Sequence, residues 1–155
     1  MITTTLNRIR EHQPCTDGWA KLLEYLGKTK ADDEPLPYAV ILKSNGLDDA
    51  LWCCRAEPQY AKEWRMYAVW CARQVQPLII DPRIIAALDV AERFANGEAT
   101  QAELDAARAA AWDAARAAAW AAAWDAAWDA AGAAAWDAQS KRFLEVVGDL
   151  PGEDV

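Results

Sequence analysis

The sequence predicts an all-α fold, a multi-helix bundle that ends in a long Ala/Trp-rich C-terminal helix. Three observations carry this. Apolar residues recur three and four positions apart, and no segment alternates with period two for long enough to make a sheet. Helix start and stop residues punctuate the chain at short intervals. Finally, 22 of the 37 residues from 102 to 138 are alanine, the best helix former, which commits that tract to helix.

Taken in order, Thr16-Asp17 precedes a helical pattern with Trp19, Leu22, Leu23 and Leu26 on one face, and Gly27 stops it. Residues 28–37 form a loop that carries Asp32-Asp33-Glu34 and then Pro35-Leu36-Pro37. Residues 38–43 are helical and run into Asn45-Gly46, a natural left-handed cap. Asp48 and Asp49 open a helix over 47–55, at the end where negative charge is favourable. Beyond Pro58, residues 60–76 form a helix whose apolar positions are Trp64, Met66, Tyr67, Trp70 and Cys71, ended by Pro77. Leu78-Ile79-Ile80 is the one strand-like run, too short to build a sheet. Asp81-Pro82 pairs a cap with a first-turn proline ahead of a helix over 83–95, closed by Asn96-Gly97. Thr100 and Glu103 form a capping box before the last element, which runs to about residue 147. The chain reads as one helical domain, with a short-helix bundle over 1–99, the Ala/Trp helix over 100–147 and a tail over 148–155.

The last element falls into fours: Leu104, Arg108, Trp112, Arg116, Trp120, Trp124, Trp128, Gly132, Trp136, Ser140 and Leu144. Four residues advance about 400° on an α-helix, so each tetrad drifts about 40° around the axis. The indoles therefore wind around the rod instead of forming one stripe. Either the helix is central, or it breaks, with Gly132 the weak point. A straight helix over this span would be about 70 Å long, against about 40 Å for a compact domain of this length. A protruding Trp-bearing helix needs a partner, which predicts a homodimer or higher homo-oligomer. Tryptophan packed as bulky core and aspartate as a solvated face is the plainer reading. The sharper one makes Arg116, Trp120 and Trp124 a docking or stacking surface.

Charge narrows the function. There are 16 Lys+Arg against 24 Asp+Glu in 155 residues, a net charge of −8, which argues against nucleic acid or an anionic membrane as the partner. The acidity is concentrated in residues 101–155, with 4 basic and 10 acidic residues. The N-terminal residues show no signal-peptide pattern, and aspartates and an arginine interrupt the Ala/Trp tract, so the sequence predicts a cytoplasmic protein. Four cysteines, Cys15, Cys53, Cys54 and Cys71, then stay reduced and act as small core residues. His12 and Cys15 have metal-ligand spacing, but no C-x-x-C pair supports zinc, and a single histidine argues against histidine-based acid–base catalysis. No phosphate-binding loop, nucleophile elbow or H-E-x-x-H is present, so the sequence predicts no enzyme, cofactor or metal.

Loops held by a rigid scaffold are where binding sites tend to sit. That singles out Trp19, Lys28, Asp32, Asp33, Glu34, Asp49, Trp52 and Arg55 as candidate binding residues beside the tetrad positions. Capping accounts for Asn45 and Asp48; three consecutive acids exceed one cap and have the type, though not the full number, of oxygen ligands for a hard cation.

The stretches DGWAKLLEYLGKT (17–29), ADDEPLP (31–37) and LKSNGLDDALWC (42–53), with FANGEAT (94–100) and the Ala-rich helix behind it, resemble the Imm-5-like immunity proteins. The resemblance implies an all-helical, non-catalytic protein of bacteria and their phages, without a defined catalytic set. The regular tetrads go beyond that family and leave room for phage counter-defence. Two functional expectations follow. One is an acidic helical inhibitor of a toxin or host defence component. The other is a sponge that sequesters a nucleotide-like signal among Trp, Arg and Lys; a purely structural oligomerisation module is the second alternative.

Overall fold

The computed structural model describes residues 1–76, 81–121 and 128–148, with side chains throughout except at 115–121 and 128–134. Eight α-helices are present among the described residues. The chain divides into two compact units, Met1–Gln59 with Asp137–Val155, and Tyr60–Trp136. These limits do not coincide with the composition change near residue 100.

The first unit begins with a feature the periodicity does not announce. Thr3–Thr4 (β1) pairs antiparallel with Leu36–Pro37 (β2), Thr3 opposite Pro37 and Thr4 opposite Leu36. The ribbon is extended by backbone bonds from Ile2 N–H to Val147 C=O (2.5 Å) and from Tyr38 N–H to Ile2 C=O (3.3 Å). Helix α1 (Leu6–Glu11) follows at once, its first turn capped by Thr5 Oγ1, which accepts from Arg8 N–H at 3.2 Å. Leu6 and Ile9, three apart, are buried. Helix α2 (Thr16–Tyr25) starts one residue earlier than Thr16 as a cap would require: Cys15 is the N-cap and offers no side-chain bond.

Helices α3 (Tyr38–Asn45) and α4 (Leu47–Cys53) meet at Gly46, whose φ of +95° is a conformation that side chains other than glycine avoid. A 3₁₀ turn (Cys54–Ala56) takes the place of the last predicted turn of α4. The C-terminal part of α8 (Trp128–Val147) completes the core. Phe143 and Val147, four apart, are fully buried with Tyr38, Ile41, Leu6, Ile9 and Leu47. Gly148 then turns with φ +88°, and a Cβ there would stand 2.9 Å from Met1 Cα, so both conformation and space require glycine.

In the second unit α6 (Pro82–Ala95) packs on both α5 (Ala61–Gln74) and α7 (Gln101–Ala121). Arg73 on α5 reaches Asp89 (2.5 Å) and Glu92 (3.1 Å) on α6. The Arg65 guanidinium lies 4.6 Å from the centre of the Phe94 ring. The expected capping box is present: Glu103 N–H donates to Thr100 Oγ1 (3.2 Å) and Thr100 N–H donates to Glu103 Oε2 (2.7 Å). Asp105 Oδ1 accepts from Gln101 Nε2 at 2.8 Å.

The N-cap of α6 makes a pH prediction. Asp81 accepts from Arg83 N–H (2.9 Å) and pairs with the Arg83 guanidinium (2.6 Å). The Arg83 side chain, then its backbone N–H, lowers the Asp81 carboxyl from 3.8 to about 2. A carboxyl lowered on folding contributes stability that is complete above its unfolded value and is lost as pH falls through the folded one. The Asp81 carboxyl carbon is therefore expected to titrate by NMR at about 2, and α6 to fray from its N-terminus as that happens. Titration near 3.8 would count against this cap.

The tetrad drift is visible on α7. Leu104 is 1% exposed, whereas Trp112, two tetrads and about 80° further round, is 69% exposed. The other buried residue of α7 among those described is Ala114, 1% exposed and about 160° from Trp112. Of the two alternatives for the tetrad helix, a break at Gly132 is not the one seen: Gly132 lies inside α8. Alanines on both sides hold the helical conformation against a cost of about 1 kcal/mol for one glycine. Leu78-Ile79-Ile80 and Trp124 lie outside the described residues. No described helix is long and apolar enough to cross a membrane.

Candidate functional site

Three of the predicted residues converge in the first unit. Trp19 on α2 and Asp49 and Trp52 on α4 line one cavity of about 140 Å³. Its apolar lining includes Ile9, Leu22 and Ile41, and its polar groups are Asn45 and Asp49. The elements come together because Gly18 lets them. A Cβ at Gly18 would meet Asp49 Oδ2 at 2.8 Å and Cys15 Sγ at 3.0 Å. A glycine inside a helix costs about 1 kcal/mol relative to alanine, and here it allows α4 to approach the backbone of α2.

Asn45 locks the junction. Its Nδ2 donates to Gly18 C=O (2.8 Å) and to Asp49 Oδ2 (2.7 Å), while Ser44 Oγ donates to its Oδ1 (2.7 Å). Capping was the expected role of Asn45; positioning Asp49 is an additional one that the sequence did not disclose. A glycine within the otherwise regular Thr16–Tyr25 pattern was the available signal for a close approach. Arg55 stacks beside the cavity, its guanidinium 4.2 Å from the Trp52 ring centre and its Nε donating to Trp52 C=O at 2.8 Å.

The loop residues form a separate cluster that is closed on itself. Lys28 Nζ donates to Asp32 Oδ2 (2.5 Å) and Glu34 Oε2 (2.6 Å), and Asp32 Oδ1 accepts from Glu34 N–H (3.2 Å). The lysine holds the Asp32 carboxyl below its ordinary range, and the two acids raise Lys28. Asp33 points elsewhere, onto a shallow surface shared with Asn7, Arg10 and Glu11. Asp32-Asp33-Glu34 is thus a loop clip with one outlying acid, not a convergent set of cation ligands. Among the described residues no three His, Cys, Asp or Glu side chains are grouped to hold a metal. Arg116, Trp120 and Trp124 have no described side chains.

The cysteines differ sharply. Cys53 is buried at the cavity, and burial, with the Asp49 charge second, pushes its thiol up to about 12. Burial pushes Cys54 up to about 12 as well. Cys15, expected in the core, is exposed and lines the cavity mouth. Maleimide is therefore expected to label Cys15 in the folded protein and Cys53 only on unfolding, as read by peptide mass spectrometry. Equal labelling of the two would contradict the described packing.

Comparisons with protein-family models, with curated proteins and with solved structures return no match for this chain.

Proposed function

We propose that the chain is a non-catalytic immunity or phage counter-defence protein that binds and neutralises a toxin or host defence component, using the α2–α4 face of the first unit. The observation that carries this reading is the size and lining of the cavity. At about 140 Å³ it is smaller than the roughly 300–1,000 Å³ of sites that enclose a small-molecule ligand. It is close to the roughly 150 Å³ that accommodates a single aromatic ring. A cavity of this size, walled by two indoles, suits one anchoring side chain from a protein partner.

The same geometry weighs against a nucleotide sponge. Phosphates require cations, and none lines this cavity; Lys28, elsewhere in the unit, is held by Asp32 and Glu34. The charge inside the cavity is the carboxylate of Asp49. Self-association through the tetrad helix belongs to the proposal, since Trp112 presents a mostly exposed indole. Trp112→Ala is expected to shift sedimentation equilibrium toward the monomer.

The test of function uses the full chain as bait for bacterial lysates, followed by purification of a captured protein and titration of that protein's own activity. Stoichiometric inhibition is expected. It should weaken with added salt and with the double variant Trp19→Ala/Trp52→Ala, but not with Lys62→Ala on α5. Full activity of the captured protein at large excess of the chain, or inhibition indifferent to both salt and the tryptophans, would overturn the reading.

A further inference from the structure

We propose that the α2–α4 cavity takes the cationic head of a lysine or arginine of the partner protein, seated on Asp49 against the indoles of Trp19 and Trp52. This rests on the protein-partner reading above and specifies the chemistry of the anchor. The first support is charge. Asp49 lines the cavity and forms no ion pair among the described residues. Four acids of the same unit are already engaged, Glu57 with Arg8, Asp32 and Glu34 with Lys28, and Glu145 with Arg142; what distinguishes Asp49 from the remaining acids is its place in the cavity wall. The second is orientation. Asn45 occupies Asp49 Oδ2 with one hydrogen bond, and a carboxylate offers about four acceptor positions, so most of its capacity is left for a donor that enters the cavity.

The third support is the aromatic lining. Indole faces attract cations more strongly than other side-chain rings, and the Trp52 ring already carries the Arg55 guanidinium on it. Arg55 does not line the cavity, so it does not fill the place. The fourth is the surrounding field. The first unit contains 14 acidic and 9 basic residues, which favours approach of a positively charged surface. A purely aliphatic anchor would leave Asp49 facing an apolar group, which costs hydration of the carboxylate without return.

The experiment titrates the full chain with n-butylguanidinium and with its neutral isostere n-butylurea. The reporters are the indole N–H signals of Trp19 and Trp52, assigned with Trp19→Phe and Trp52→Phe. The expected result is saturable shifts of both indoles by the cation, with about tenfold weaker binding of the urea, the size of one partly desolvated charge contact. Asp49→Asn keeps the size of the side chain and an oxygen for Asn45, and is expected to abolish the preference for the cation. Equal affinity for the two probes, an unchanged preference in Asp49→Asn, or no indole shift at tens of millimolar cation each overturn the inference. Partner inhibition separates this from failure of the wider reading. Inhibition lost in Trp19→Ala/Trp52→Ala but intact in Asp49→Asn rejects the cationic anchor alone; inhibition intact in both rejects this face as the contact.

Discussion

Replacing Phe143 by alanine is expected to destabilise the first unit by about 4 kcal/mol, the middle of the range for deleting a buried aromatic ring. Phe143 is fully buried and packs edge-on against Tyr38, ring centres 6.2 Å apart at 68°. Tyr38 is itself fully buried and spends its hydroxyl on Cys53 C=O at 2.8 Å. The void left by Phe143 would therefore border a ring pinned at its far end, which limits how far the site can collapse. Domains are stable by only about 5–15 kcal/mol, so the loss is a large share of the total. Denaturant unfolding followed by hydrogen exchange of the Ile41 amide measures it. Phe143→Leu, which retains most of the volume, is expected to cost less than half as much. A loss below about 1 kcal/mol for the alanine variant would mean that the end of α8 is not part of this core.

Arg8→Ala is expected to cost about 3 kcal/mol, through a different mechanism. Glu57 is fully buried and receives the Arg8 guanidinium at 2.8 Å and Gln59 Nε2 at 2.5 Å. Removing the arginine takes a counter-charge away from a carboxylate held in the interior, and breaking a buried ion pair by truncating one partner is strongly destabilising. Arg8 is 45% exposed, which places the cost at the lower end of the range for buried pairs. Adding Glu57→Gln to Arg8→Ala is expected to recover most of the loss, because the neutral amide no longer needs a cation. A double-mutant cycle with about 2 kcal/mol of coupling is the expected result. Additive single losses would show that the two side chains do not act on each other.

What the sequence disclosed about the fold was mostly what the backbone demands locally. Gly27, Gly46 and Gly97 all take the positive φ that a helix stop uses. Asp81 and the Thr100–Glu103 pair cap the helices they were expected to cap. These signals are legible because cause and effect lie within four residues of each other. The β1–β2 ribbon was not legible, since strands of two residues show no alternation and this pairing is extended by a bond from Ile2 to Val147. Buried Glu57 was invisible because a partner that accounts for its burial, Arg8, lies on α1, about fifty residues away in the sequence. The winding of the tetrads was readable from arithmetic, and Leu104 and Trp112 follow it.

The candidate site was half legible. Residue type and loop position singled out Trp19, Asp49 and Trp52, and all three line one cavity. The same criteria singled out Lys28, Asp32 and Glu34, which satisfy one another instead. The spacing of Lys28 and Asp32, four apart and opposite in charge, already allowed that outcome. Side chains that complete their own pairing leave nothing for a partner; only the three-dimensional neighbourhood distinguishes them from Asp49.

The first unit is assembled from the two ends of the chain, with its core closed by Phe143 and Val147 on Tyr38 and Ile2. At the ribosome, residues 1–59 emerge with most of the unit's buried apolar residues but without Phe143 and Val147, and wait for roughly 85 further residues before the closing helix is synthesised. Translation at about 5–20 residues per second makes that wait on the order of 10 s. During it the apolar faces of α1 and α3 are open to chaperones or to neighbouring nascent chains, while the contiguous Tyr60–Trp136 unit faces no such delay.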